Sequence, residues 1–217
     1  MSYSLNTTII KPVSNQNPKS AVILCHGYGG DGKDISILAN YWKNYLPDTI
    51  FLCPDAPEKC EVSDSGFQWF DLMTQNKDQI LTKSFVAEIK LNKFIDEVKE
   101  NYKLNASNIN LAGFSQGCMI ALQTGIKRKD PIKSILGYSG KIINTEHLGK
   151  NIISRPELML IHGDRDEVVP LSSLLEAKDF FKKYNYKIDT KIIKGCEHRI
   201  SSEGSSLGLE FIKKNLY

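Results

Sequence analysis

The chain has 217 residues, of which 41% are hydrophobic and 24% are charged, and its formal net charge is +3 at pH 7. This length predicts one domain with a sizeable core, and the composition is typical of a soluble globular protein. The small net charge forms no basic stripe and lysine outnumbers arginine, so a nucleic-acid partner is not predicted.

The N-terminal residues and the cysteines indicate a compartment. No basic region followed by an apolar one begins the chain, so no secretory signal is predicted, and no apolar stretch is long enough to span a membrane. The cysteines are odd in number and lack metal-ligand spacing, which favours reduced thiols in the cytoplasm over a disulfide framework. They are Cys25, Cys53, Cys60, Cys118 and Cys196.

A glycine-rich loop follows the first strongly predicted strand. An edge strand is predicted around residues 4–10, and residues 21–25 are an uninterrupted apolar run typical of a strand buried on both faces. Residues 26–34 then hold four glycines among nine residues. A flexible surface loop and a dinucleotide-binding loop are alternatives, but the G-x-G-x-x-G spacing and the later ribose-binding acid are missing. The loop is better explained as one that presents backbone N–H groups to an oxyanion, and no cofactor and no metal are predicted.

The next elements are a helix at residues 35–46, which Asp34 can cap and Pro47 stops, and a strand at residues 49–53. Residues 54–80 form the least regular part of the chain and contain a dense aromatic patch. This patch is either a local packing plug or the wall of an apolar pocket, and the pocket wall is favoured. The pocket side chains would be Phe67, Trp69 and Phe70.

The rest of the chain alternates between helices and strands. A helix at residues 83–102 carries an apolar stripe that includes Val86 and Ile89, and a loop later in the chain holds His147. Strands are predicted at residues 109–112, 133–138, 157–161 and 187–193, and helices at 116–127, 171–184 and 210–216. Such alternation requires right-handed crossovers and a mostly parallel sheet, so residues 1–217 are predicted to form one three-layer α/β domain.

Ser115 lies between a predicted strand and a predicted helix, and Gly113 and Gly117 flank it two positions away on each side. This is G-x-S-x-G in a strand–turn–helix context, where the serine backbone is strained and its hydroxyl is exposed above the sheet. The alternative is a helix N-terminus capped by Ser115, because serine is favoured there. The motif predicts that Ser115 is a nucleophile.

A serine nucleophile needs a base to take its proton and an acid to orient that base. In α/β-hydrolases the acid and then the histidine follow the serine along the chain. His26 precedes Ser115, His147 lies in a polar loop, and His162 ends a strand. Only His198 follows both the last strand and an available acid, so it is the predicted base. The candidate acids are Asp164, Asp166 and Glu167.

These motifs resemble the phospholipase/carboxylesterase family of α/β-hydrolases, which includes acyl-protein thioesterases and small bacterial esterases. The similarity runs nearly from end to end. Residues 26–29 resemble its oxyanion loop, 54–57 its turn after the next strand, 68–70 its aromatic flap, 113–117 its elbow, 162–170 its acid loop and 195–198 its base loop.

The resemblance implies a Ser115–His198–Asp166 triad, with Asp166 rather than Asp164 as the acid, and an oxyanion hole made by the backbone N–H groups of Tyr28 and Gln116. It also implies a compact α/β-hydrolase fold without a large lid domain. Two departures from the family pattern are the bulky Tyr28 and Cys118, which stands where the family usually has a second glycine.

The implied activity is hydrolysis of carboxylic esters with short-to-medium acyl groups through an acyl-enzyme. An acyl-protein thioesterase or a lysophospholipase would use the same triad, so the substrate is either a small ester or an acylated molecule. A non-catalytic binding protein on the same fold is the alternative outside enzymes. The sequence leaves the oligomeric state open.

Overall fold

The computed structural model describes residues 3–63, 65–73 and 76–216, and a mostly parallel sheet runs through this part of the chain. The strands are β1 (Thr7–Ile10), β2 (Ser20–Cys25), β3 (Thr49–Pro54), β4 (Glu58–Lys59), β5 (Phe67–Gln68), β6 (Ile109–Phe114), β7 (Ser134–Tyr138), β8 (Glu157–Gly163) and β9 (Asp189–Ile193). The helices are α1 (Gly32–Trp42), α2 (Lys77–Tyr102), α3 (Gln116–Ile126), α4 (Thr145–Lys150), α5 (Ser172–Lys183) and α6 (Ser202–Lys214).

The main sheet has seven strands in the order β1-β3-β2-β6-β7-β8-β9. The edge strand β1 pairs antiparallel with β3, and the other pairs are parallel. Strands β2 and β3 are buried at every position. Helices therefore cover both faces of the sheet, which explains why these strands are continuous apolar runs in the sequence.

The core divides into two clusters, one on each face of the sheet. Apolar side chains of α1 and α6 pack on one face, and those of α2, α3 and α5 pack on the other. The predicted three-layer α/β-hydrolase architecture is confirmed. Among the described residues, no helix combines the length and the apolar composition needed to cross a membrane.

Helix boundaries differ from the sequence expectation where a cap decides them. Asp31, not Asp34, caps α1, since its carboxylate accepts the N–H of Asp34 at 2.8 Å. The helix then ends at Trp42, and the chain continues in turns up to Pro47. Similarly, α6 begins eight residues before the predicted start, because Ser201 caps it through the N–H of Gly204. The serines and glycines of its first turns have weak helix propensity, so the sequence did not predict that these residues are helical.

Helix α2 also departs from the prediction. Asn76 caps it, so it begins six residues before the expected start. Val86 and Ile89, which were assigned to its buried stripe, are exposed, while Phe94 and Val98 are buried in the core. The predicted loop around His147 is the short helix α4.

The irregular segment 54–80 contains the β4–β5 hairpin and the first turn of α2. Residues 64, 74 and 75 of this segment lie outside the described residues. The Phe67 N–H donates to the carbonyl of Gly30, and the Gly29 N–H donates to the carbonyl of Phe67, each at 2.9 Å. The hairpin is thereby fastened to the glycine-rich loop after β2.

Candidate active site

Ser115 connects β6 to α3 in a strained turn. Its φ is 53° and its ψ is −116°, a conformation that residues other than glycine rarely adopt. The Ser115 N–H donates to the carbonyl of Tyr138 at 2.8 Å, which holds the turn against the end of β7. Ser115 occupies the N-cap position of α3, yet its side chain makes no capping hydrogen bond. The helix-cap alternative for this serine therefore finds no support.

The flanking glycines are required by close contacts of the backbone. A Cβ atom at Gly113 would lie 2.3 Å from the carbonyl carbon of Gly117. A Cβ atom at Gly117 would lie 2.1 Å from the carbonyl oxygen of Cys25, in the neighbouring strand. Real Cβ atoms do not approach backbone so closely, so only glycine fits at either position.

His198 lies between Ser115 and Asp166. Its Nε2 is 3.0 Å from Ser115 Oγ, and its Nδ1 is 2.8 Å from Asp166 Oδ2. Because the Asp166 carboxylate can only accept, Nδ1 carries the proton and Nε2 is free to accept the hydroxyl proton. Asp164 contacts a different group: its carboxylate accepts the N–H of Gly195 at the start of the loop that carries His198.

The Asp166 carboxyl remains ionised despite its burial. Burial alone raises its pKa, but hydrogen bonds from His198, from the Val169 N–H and from Ser139 outweigh that cost. The net result is a pKa below the usual value of an aspartate. The Val168 and Val169 N–H groups both donate to Oδ1, so Oδ2 is the oxygen that faces His198.

Two contacts missed by the sequence analysis position the triad. His162 donates its Nε2–H to the carbonyl of Val169 at 2.8 Å, which holds the loop that presents Asp166. The ring of Phe114 lies 4.8 Å from the ring of His198, centroid to centroid, and supports one side of it. The first contact lies within the acid loop itself, whereas the second joins the end of β6 to the loop after β9, which only the folded sheet brings together.

His26 fixes the glycine-rich loop rather than acting as a base. Its Nε2 accepts the Ala56 N–H at 2.9 Å, and its Nδ1–H donates to the carbonyl of Gly27 at 2.7 Å. Burial lowers the pKa of His26, which favours the neutral ring that this pair of contacts requires. Tyr28 and Gln116, the predicted oxyanion donors, have no acceptor for their backbone N–H groups among the described residues.

The flap connects the two predicted oxyanion donors. The Gln116 side chain accepts the Trp69 N–H at 2.9 Å and donates to the Phe70 carbonyl at 2.5 Å. The Trp69 indole N–H donates to the carbonyl of His26 at 3.0 Å. Trp69 therefore contacts both the residue that follows the nucleophile and the loop that carries Tyr28.

The placement of the flap side chains differs from the predicted pocket wall. Trp69 and Phe70 are each 0% exposed and belong to the hydrophobic core. A fully covered side chain cannot contact a substrate, so the packing-plug interpretation fits these two residues. Phe67 is half-buried, and the Lys59 ammonium lies 4.1 Å from the centroid of its ring.

Cys118 is accommodated by small residues opposite it. Its side chain is buried, and its sulfur occupies the space that a Cβ atom at Gly137 or Gly140 would enter, 2.4 Å away in each case. Burial raises the pKa of the Cys118 thiol to about 12, so it stays protonated at neutral pH. All five cysteines lie in the described part of the chain and are buried and free. The described residues hold no group of three His, Cys, Asp or Glu side chains suited to a metal.

Comparison with known proteins relates the chain to one family over nearly its whole length. The sequence profile of the Phospholipase/Carboxylesterase family matches residues 6–216. Acyl-protein thioesterase 1 of Saccharomyces cerevisiae is 28% identical over 219 residues, with 93% of this chain and 95% of that protein aligned. Acyl-protein thioesterase 1 homolog 1 of Dictyostelium discoideum is 26% identical, with 97% and 96% aligned.

Among solved structures, the crystal structure of esterase PE8 superimposes with a TM-score of 0.93 at 34% sequence identity, over 98% of this chain and 99% of that chain. The family match covers nearly the whole chain and agrees with the fold and with the motifs. The chain therefore belongs to the phospholipase/carboxylesterase family, and it is an esterase-type hydrolase.

Proposed function

We propose that this protein hydrolyses carboxylic esters and thioesters of short-to-medium acyl chains through an acyl-enzyme on Ser115. The observation that carries the proposal is the continuous hydrogen-bonded chain from Ser115 Oγ through His198 to Asp166, built on a strained serine. A serine hydroxyl is a weak nucleophile by itself, and this arrangement is the one that activates it.

The proposed reaction has two halves. Ser115 Oγ attacks the carbonyl carbon while His198 Nε2 takes the hydroxyl proton, and the carbonyl oxygen becomes an oxyanion. The C–O or C–S bond to the leaving group then breaks, and His198 returns the proton to the departing atom. Water repeats the sequence on the acyl-enzyme: His198 takes its proton, the acid is released, and Ser115 regains its hydrogen.

Each remaining group has a proposed electrostatic role. Asp166 holds the Nδ1–H tautomer of His198 and stabilises the imidazolium that forms during each step. The backbone N–H groups of Tyr28 and Gln116 donate to the oxyanion. Tyr28 lies in the glycine-rich loop and Gln116 begins α3. Trp69 is hydrogen-bonded to both segments, so the spacing of the two N–H groups is set before the substrate binds.

The substrate range follows from how little chain covers the site. Between α3 and β8 the chain contains only β7, the short α4 and loops, so no large lid is available to enclose a long acyl group. Carboxylic esters of small alcohols are the first substrates to test. The names of the yeast and Dictyostelium relatives support thioesters of acylated proteins as the second class.

Active-site labelling tests the proposed nucleophile directly. A fluorophosphonate probe should modify the wild-type protein at one site, and peptide mass spectrometry should locate the adduct on Ser115. Ser139 is the internal control, since it also has a positive φ but lies outside a G-x-S-x-G frame, because Lys141 stands two positions after it. An adduct on Ser139, or no adduct while esters are hydrolysed, would refute the assignment.

We also propose a cytoplasmic location and a single cooperative domain of residues 1–217. The five reduced, buried cysteines support the location, because a secreted protein would more commonly pair them. The continuous sheet supports one domain. Fractionation of the native host and one calorimetric unfolding transition are the respective measurements.

A further inference from the structure

A groove runs between α1 and α6, on the face of the sheet opposite α2, α3 and α5. It encloses about 1000 Å³, at the upper end of the range for ligand sites. Tyr28, Phe114 and His198 line its inner end, so the groove opens directly from the proposed catalytic centre. None of the predicted flap side chains lines it.

The α1 wall of the groove is an exposed apolar stripe. Ile37, Tyr41 and Tyr45 are 58%, 69% and 62% exposed. Their spacing of four residues places them on the same side of α1 and of the turn after it. Isolated exposed apolar residues are common, but a continuous row beside a catalytic centre marks a binding surface, and tyrosine is enriched in protein interfaces.

The α6 wall is polar. Ser202 and Ser206 supply hydroxyl groups, and Glu210 and Lys213 supply one charge of each sign further along. In the described part of the chain, neither charge forms an ion pair. The groove therefore offers an apolar side for side chains and a hydrogen-bonding side for polar groups.

The chemistry determines which half of the substrate lies here. His198 must protonate the departing oxygen or sulfur, so the leaving group lies beside Nε2. The groove begins at His198 and leads away from it between the two helices. The acyl and leaving groups diverge from the tetrahedral carbon, and His198, which must face the leaving group, lines the groove. On this ground the groove is assigned to the leaving group.

The length of the groove favours a large leaving group. Helix α1 has 11 residues and is about 16 Å long, which matches about five residues of extended polypeptide. A small alcohol or a glycerol-based headgroup would fill only the inner end and would leave Tyr45 and Lys213 without a partner. Only a chain-like leaving group uses both walls.

We propose that this groove binds the polypeptide part of an acylated protein, with apolar side chains next to the acylated residue packed on Ile37, Tyr41 and Tyr45. The inference rests on the proposed function, because it assigns the leaving-group site of the same reaction. It assigns these three residues as determinants of leaving-group specificity.

The experiment compares two thioesters with the same acyl group. One is S-octanoyl cysteine within a short peptide in which Leu and Phe flank the cysteine, and the other is S-octanoyl N-acetylcysteine. Wild-type kcat/KM should be about tenfold or more higher for the peptide. Tyr41→Ser should lower kcat/KM for the peptide about tenfold more than for the small thioester, since it removes an interface side chain.

Ile89→Ser on α2 is the matched control, since this side chain is 68% exposed and lies on the other face of the sheet. It should leave both rates unchanged. Fluorophosphonate labelling stoichiometry confirms that each variant is folded. Equal losses on both thioesters in Tyr41→Ser would refute the groove assignment.

Other occupants give distinguishable results. If Tyr41→Ser lowers turnover of octanoyl lysophosphatidylcholine as much as that of the peptide, the groove holds a lipid headgroup and the inference is wrong. If sedimentation shows a dimer that Tyr41→Ser dissociates, a second copy of the chain covers the groove, which also overturns it. Wild-type protein that hydrolyses p-nitrophenyl octanoate but neither thioester overturns the groove inference and leaves the proposed ester hydrolysis standing. Wild-type protein that hydrolyses no ester and no thioester refutes the proposed function itself, whereas turnover of both thioesters without a Tyr41 effect refutes only the groove.

Discussion

The flap and the outer face of α1 are both rich in large apolar side chains, but the fold uses them in opposite ways. Trp69 and Phe70 in the flap have no exposed surface, and the backbone of both is held by Gln116. Ile37 and Tyr41 on α1 project beside the candidate active site and remain uncovered. Aromatic density in a sequence therefore indicates burial or binding, and only the surrounding elements determine which one applies.

This difference separates two functions around one serine. The flap fixes the relative positions of the loops that carry the Tyr28 and Gln116 N–H groups, so it is expected to affect the rate of every ester. The α1 face adjoins the leaving-group side, so it is expected to distinguish among substrates. The predictions below test that division.

The largest effect is expected at Ser115, the proposed nucleophile on which both regions would act. Ser115→Ala should lower kcat by about 10⁴-fold or more and leave the protein folded, because only the oxyanion hole and substrate binding remain. Steady-state ester hydrolysis measures this loss, and thermal unfolding provides the folding control. Unchanged turnover would show that Ser115 is not the nucleophile. The proposed division of roles between the flap and the α1 face would then fail as well.

The next effect concerns the acid. Asp166→Asn should lower kcat by about 10³–10⁴-fold, since the amide can no longer hold the required tautomer of His198. Asp164→Asn is the matched control and should have a far smaller effect, because its Oδ1 can still accept the Gly195 N–H. Equal losses in the two variants, or a larger loss at Asp164, would contradict the choice of Asp166.

Trp69→Phe tests the flap as a structural tie. The change keeps an aromatic ring but removes the indole N–H, leaving the His26 carbonyl without that donor, a loss that costs about 1–3 kcal/mol at a buried site. We expect kcat/KM to fall by a similar factor for acetate and octanoate p-nitrophenyl esters. Were the loss confined to longer acyl chains, Trp69 would line the acyl site and the original pocket-wall prediction would stand.

The pH dependence of stability tests the same network through His26. Burial lowers the folded-state pKa of His26, so at pH values just below the unfolded-state pKa of about 6.5 the unfolded chain binds more protons. This contribution to the free energy of unfolding is fully present above that pH and is lost as the pH falls toward the lower folded-state value. Calorimetric Tm should therefore fall between pH 7.5 and 5.5, and His26→Gln should show a weaker dependence. If Tm changed with pH equally in His26→Gln and in the wild type, the pH dependence would come from other titratable groups.

The smallest effect is expected at Cys118, which contacts neither the triad nor the groove in the proposed mechanism. Cys118→Ala should retain most of the activity, because the thiol is protonated and buried. Loss of the buried sulfur should cost about 1 kcal/mol of stability. A chelator should leave the rate of ester hydrolysis unchanged. Strong inhibition by EDTA would indicate that a metal ion takes part in the reaction, which would contradict the proposed mechanism.

The sequence alone determined the architecture and the order of the candidate residues. Strands buried on both faces appear as continuous apolar runs, and their alternation with helices permits essentially one arrangement, a parallel sheet with right-handed crossovers. Gly113 and Gly117 predict the turn at Ser115 from the sequence, because a sharp strand-to-helix turn leaves no room for a Cβ atom at either position. These features depend on neighbours along the chain, so local sequence is sufficient to reveal them.

The tertiary structure decided which side chains meet and which are covered. Chain order alone left Asp164 and Asp166 open as the acid, and the family resemblance favoured Asp166. The approach of the His198 loop then brings Asp166 to the imidazole, while Asp164 accepts the Gly195 N–H. Trp69 is fully buried in the core and hydrogen-bonded to Gln116 and to the His26 carbonyl, whereas Tyr41 is 69% exposed in the described part of the chain. The hydrophobicity of a side chain indicates that its burial is favourable. The residues that bury it come from distant parts of the chain, so they are determined only by the tertiary structure.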